Sequence, residues 1–143
     1  MKQLFVTILS AAFLLTACKK EDATTSATPG NDTVDPGSTV LLMGNFIAGP
    51  YGSPSGQAEI RRAVNGSLTL VLKNFSVNNG PDLHVYLSKE VQPINFIDLG
   101  LLRSVSGTQV YNIPGNPDFS QYKYALIHCQ RFNHLFGSAE LKQ

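Results

Sequence analysis

The stretch QAEIRRAVNGSLTLVLK, residues 57–73, decides the fold. Its second half alternates strictly, with Leu68, Leu70 and Leu72 on one side and Ser67, Thr69, Val71 and Lys73 on the other. That is the period-two pattern of a strand with one face buried. The run over 57–64 reaches it across Asn65-Gly66, two residues that tolerate positive φ, so the pair predicts a hairpin closed by a type I′ turn.

Similar signals extend outward on both sides. Residues 40–47 read as a strand before the hairpin, and 82–88, 122–128 and 136–142 as strands after it. A second hairpin is expected from 101–105 and 108–113, joined through Ser106-Gly107. Gly80-Pro81, Pro93 and Pro114-Gly115-Asn116-Pro117 punctuate these runs, since proline cannot donate to a sheet ladder. Residues 118–122 suit a single helical turn. No long 3.6-residue period and no internal repeat occurs. About eight short strands point to an all-β domain, a single β-sandwich or Greek-key barrel.

The chain has 143 residues, and the domain from 39 to 143 is long enough for one core. Residues 1–17 read as a signal peptide, with Lys2 before an apolar stretch too short to span a bilayer comfortably. Leu15-Thr16-Ala17-Cys18 resembles the lipobox of bacterial lipoproteins, which makes Cys18 the expected site of diacylation and of attachment to a membrane. Residues 18–38 hold too few apolar side chains to offset the entropy of ordering them and read as a tether. Its opening Lys19-Lys20-Glu21-Asp22 also resembles the surface-export signal of some Gram-negative lipoproteins. The expected location is therefore the cell envelope, at the outer membrane, facing either the periplasm or the exterior.

Removing residues 1–17 takes away one lysine and leaves ten basic and ten acidic side chains. A balanced charge argues against nucleic acid as a partner, which would call for a basic excess or stripe. Arg61-Arg62 reads as a solvated strand end. Gly52-Ser53-Pro54-Ser55-Gly56 carries proline where a hydrolase elbow needs its serine, and the P-loop, paired-cysteine zinc and dinucleotide patterns are absent from the sequence. Whether the chain is an enzyme stays open, with a non-enzymatic domain as the expectation.

With Cys18 lipidated, Cys129 has no intramolecular partner. His84, Cys129 and His134 invite comparison with a copper site of two imidazoles and a thiolate, but residues 135–143 contain no methionine for the axial position. Strand parity opposes the set as well. In 82–88 the apolar residues are Leu83, Val85 and Leu87, which turns His84 to the other face; Cys129 shares its face with Ala125 and Ile127, while His128 sides with Tyr124 and Leu126. A thiol used for redox chemistry or haem ligation needs a partly open, electropositive setting, and His128 and Arg131 lie close in sequence. A free cysteine also packs readily as a small buried hydrophobe, so both readings stand. Phe132 and Phe136 are expected to pack around the segment.

Gly80-Pro81-Asp82-Leu83-His84-Val85-Tyr86-Leu87-Ser88, then Leu99-Gly100-Leu101-Leu102 and Gly107-Thr108-Gln109-Val110-Tyr111, then Cys129-Gln130-Arg131-Phe132 with Phe136-Gly137-Ser138-Ala139, together resemble the electron transfer DM13 domain. The resemblance covers about residues 40–141. It implies an extracytoplasmic β-rich domain, elsewhere found beside DOMON domains, with a redox role for the cysteine matched by Cys129, as a bare thiol or through a prosthetic group such as haem. His84 falls within the matching pattern as a second candidate for holding that group, and an envelope redox protein is the implied partner. The competing reading is a lipid-tethered binding module in which Cys129 is structural.

Overall fold

In a computed structural model, residues 29–143 are described; the leader, Cys18 and the first part of the expected tether lie outside them. Nine strands follow in order: β1 (Gly30–Asn31), β2 (Thr39–Ala48), β3 (Ser55–Arg62), β4 (Leu68–Ser76), β5 (Leu83–Ser88), β6 (Phe96–Leu101), β7 (Ser106–Ile113), β8 (Tyr124–Cys129) and β9 (His134–Glu140). No helix occurs among the described residues. The all-β expectation holds. Instead of separate layers, the strands form one continuous sheet, ordered β1-β7-β4-β3-β2-β9-β8-β5-β6 and curled into a half-barrel.

β2 makes the continuity. Its residues 39–45 pair with β3, and Phe46, Ile47 and Ala48 pair with Ala139, Ser138 and Gly137 of β9. Past the end of β9, the backbone N–H groups of Met43 and Lys142 each donate to the other residue's carbonyl. At Gly44 the two strands run so close that a Cβ would sit 2.1 Å from the carbonyl oxygen of Glu140. Curling brings the inward residues of both flanks into one core: Ile60, Leu70, Leu72 and Phe75 from one side, Val85, Leu87, Ile127 and Phe136 from the other. A bulge lets Phe75 join it. The register shifts between Leu72 and Phe75, with Asn74 in the left-handed region at φ 49°, which restores an inward side chain after the leucine series ends.

The first hairpin forms with a different turn. Gly66 N–H donates to the Ala63 carbonyl and Ala63 N–H to the Ser67 carbonyl, and only Gly66 has positive φ (87°). The loop is thus three residues long, a type I turn followed by a left-handed glycine, in place of type I′. The second expected hairpin does not form. β7 pairs with β4, residues 96–101 form β6 against β5, and residues 102–105 lie outside the strands. Leu102 N–H donates to the Leu83 carbonyl and the Val105 carbonyl accepts from Val77 N–H, while Ser104 is met by a side chain: Gln109 accepts from Ser104 N–H at 3.0 Å and donates to the Ser104 carbonyl at 2.8 Å. A buried amide thereby replaces a ladder partner. Residues 118–122 make the single turn expected of them, with Tyr122 N–H donating to the Asp118 carbonyl.

Ordered structure also begins earlier than the tether boundary at Ser38 implied. β1 pairs in parallel with β7, and the Asp32 carboxylate accepts from Arg103 and from Val110 N–H. Burial alone would raise the Asp32 carboxyl, but these bonds outweigh it and hold it below the usual carboxylate range. Arg61 corrects a second expectation. It is largely buried, not solvated, and bonds Glu59, the Ser38 hydroxyl and the Ser38 carbonyl.

Glu59, buried on the outer face, receives Arg61 at 2.5 Å and Lys73 at 3.1 Å. Burial opposes its charge, yet the two cations and their hydrogen bonds keep its carboxyl below the ordinary glutamate value. A depressed folded value contributes stability above the ordinary value that is lost as pH falls through the folded one. Glu59→Gln should cost about 1–3 kcal/mol at neutral pH and flatten the acid limb of stability, read by urea denaturation between about pH 6 and about pH 3. Gly44→Ala should cost about 2 kcal/mol or more by the same assay, because β2 and β9 must separate to admit the methyl group.

Candidate redox site around Cys129

Cys129 ends β8, a strand buried along nearly its whole length. Its side chain lies in the main core with Leu83, Val85, Ala125 and Ile127 and is 1% exposed. It is the free cysteine among the described residues, and its thiol donates to the Pro81 carbonyl at 2.8 Å. The bond crosses 48 residues of sequence and fastens the end of β8 to the segment leading into β5. A second tie lies beside it, where Gln130 N–H donates to the carbonyl of Asp82, itself left-handed at φ 61°.

The opposite face of the same strands carries the imidazoles. β5 and β8 are antiparallel with His84 directly across from His128 and Leu83 across from Cys129. Parity therefore sends the thiol inward and both rings outward. Both nitrogens of His84 face carboxylates: Nδ1 lies 2.9 Å from Asp98 and Nε2 3.4 Å from Asp82. Tyr86, 1% exposed, forms a second small apolar cluster with Leu126 and Leu135 and stacks on Phe96 and His128 at centroid distances of 4.2 and 5.4 Å. Burial raises the Tyr86 phenol, with help from the charges of Asp98, Asp82 and Cys129, against a hydrogen bond from Gln130.

His128 is the anomaly of this face. It is 3% exposed, yet neither ring nitrogen has a hydrogen-bond partner. Burial lowers its imidazole below the ordinary value and the neighbouring His134 and His84 add to the shift, while the side chain of Asn133 opposes it without meeting hydrogen-bond geometry. His134 pairs with Cys129 across the strands, but its ring stacks on Tyr51, centroids 3.6 Å apart and 3° from parallel. Phe136 joins the core as expected, whereas Phe132 lies on the surface at 56% exposure.

His84, Cys129 and His134 are thus not brought together about one point. Among the described residues no group of three or more His, Cys, Asp or Glu side chains is disposed to hold a metal ion. Haem fares no better against the geometry. A thiolate ligand must present its sulfur to a slot as wide as the macrocycle, but Cys129 Sγ is enclosed by core side chains and the Pro81 carbonyl. Surface cavities of 650, 520 and 370 Å³ are lined elsewhere, and neither Cys129 nor His84 touches them. The residues around Cys129 do not fit a haem. What they suit is a thiol hydrogen-bonded to a backbone carbonyl.

Residues 45–141 match the family described as Electron transfer DM13, and the chain belongs to that family. No curated protein and no solved structure is significantly similar to it. The family's description points to electron transfer as the role of this fold.

The contacts of Pro81, Asp98 and Gln130 are not read from the sequence, although Pro81 and Gln130 lie in the segments that resemble the family. Each residue acts through a contact that depends on strand register or on a backbone carbonyl, and neither leaves a residue pattern. Cys129→Ala should lower stability by about 1–2 kcal/mol through lost sulfur packing and the missing bond to Pro81, with the slope of the urea transition unchanged.

Proposed function

We propose that this chain is an electron-transfer domain of the cell envelope, tethered to a membrane by a lipid on Cys18 and working through the bare thiol of Cys129. Family membership supports the redox role. The observation that carries the choice of a bare thiol is the hydrogen bond from Cys129 to Pro81 at an enclosed strand end. Such a thiol is kept reduced and shielded from adventitious oxidation until the covering segments move. Its partner is an envelope protein carrying a disulfide. Cys129 loses its proton to solvent and attacks one sulfur of that disulfide, a mixed disulfide forms, and the partner's other sulfur leaves as a thiolate that takes up a proton. The leader and Cys18 motif support attachment at the outer membrane, on its periplasmic or outward side.

A second reading, a binding module with a structural cysteine, is favoured by the near-complete burial of Cys129 in the core. Cys129→Ser decides between them, because the hydroxyl preserves a donor for Pro81. On the redox reading the purified chain is colourless, forms a mixed disulfide with a small disulfide under native conditions, and loses that reaction in Cys129→Ser with little change in melting temperature. If the wild-type thiol reacts only after denaturation and the variant merely melts lower, the binding module stands.

A further inference from the structure

We propose that the 130–133 turn and the 80–82 segment form an acid-opened lid over Cys129, released when His128 takes up a proton. A function for such a lid rests on the reading of Cys129 as the working thiol. The lid is thin. Gln130, Arg131, Phe132 and Asn133 are all exposed, and the bonds holding them include Asn133 N–H to the Gln130 carbonyl at 3.4 Å and Gln130 Nε2 to the Tyr86 hydroxyl at 3.2 Å. Left-handed residues stand on both pieces, Asp82 at φ 61° and Asn133 at φ 53°. A turn of four exposed residues is a segment that opens locally at low cost.

Beneath this lid lie two buried side chains that belong to one strand and point to opposite faces. Cys129 reaches Pro81, and His128 is the buried ring with no hydrogen-bond partner. The titratable groups that face His128 are His84 and Tyr86 on β5 and His134 on β9, with Asp82 and Asp98 beyond them against His84. Both carboxylates contact His84, and neither hydrogen-bonds the ring of His128. A proton on His128 would create a desolvated cation beside two other imidazoles. Opening the turn admits water to the ring, and the same movement parts the Gln130–Asp82 and Cys129–Pro81 bonds.

The sign follows from burial. The closed ring holds its proton less tightly than the open one, so acid favours the open form as pH falls below the ordinary imidazole value. One unit below that value, the open population rises by at most about tenfold, the ceiling being reached when the closed ring takes up no proton at all.

The test uses the full chain with Cys18→Ser. The rate at which Cys129 reacts with a small uncharged maleimide under native conditions is divided by the rate in denaturant at the same pH, which removes the thiol's own titration. We expect this ratio to rise several-fold, with about tenfold as the ceiling, between about pH 7.5 and about pH 5.5, well below the melting temperature, and to stay level in His128→Phe, which keeps the stack on Tyr86. Should His128→Phe fail to fold, the wild-type midpoint is compared with the NMR titration of each imidazole, and it must follow His128 and survive in His84→Gln and His134→Gln. A level ratio in the wild type, a rise that persists in His128→Phe, or a midpoint that follows His84 or His134 overturns the proposal. Exposure is read without any redox partner. An opening lid over a thiol that forms no native mixed disulfide would end the redox reading alone, and native exchange with a pH-independent ratio would end the lid alone.

Discussion

Apolar burial from two directions onto one interior holds this molecule together, and it depends on β2 exchanging β3 for β9 as its closest companion along its length. A sheet of nine strands that stayed flat would leave the leucines of β4 and the valine and leucine of β5 facing water. Curling brings them together, and the close passage at Gly44 is where the curl is tightest against the backbone. The sheet ends differ in kind: β1 is a two-residue strand fixed by Asp32 and Arg103, and β6 closes the other margin. Short or charged margins limit pairing with other chains.

The same alternation that builds the core sorts the chemistry. On β5 and β8 one face supplies Leu83, Val85, Ile127 and Cys129 to the interior, and the other presents His84, Tyr86, Leu126 and His128. A thiol and an imidazole adjacent in sequence are thereby separated by the thickness of the sheet. Direct contact of the Cys129 thiol with the His128 ring is excluded in this arrangement, and the lid proposed above would be the link between them. Such coupling through a shared cover is a physical link between two sites that never touch.

Family membership and the enclosed sulfur fit together if the reduced thiol is the stored form. Exclusion from solvent slows attack by small oxidants. Reactivity then becomes a matter of access. Such a design separates protection from use, and it places the control in residues 80–82 and 130–133, outside the strands themselves.

Much of this was legible in the residues. Alternation at Leu68, Leu70 and Leu72 and at Leu83, Val85 and Leu87 determines strands with one buried face wherever they are placed, and it correctly sends Cys129 inward and His84 outward. Long-range pairing lay beyond it. The run at 108–113 pairs with β4 and not with 101–105, and Gln109 meets the Ser104 backbone with its side chain, a contact that no periodicity announces. Asn65-Gly66 called for a turn but not its type, since the loop length follows from the register of Ala63 against Ser67. Likewise the placement of Pro81 over the sulfur, and of His84 opposite His128, follows from strand register. Register minimises the energy of the whole sheet at once, so it is a property of the assembled strands that no single segment contains.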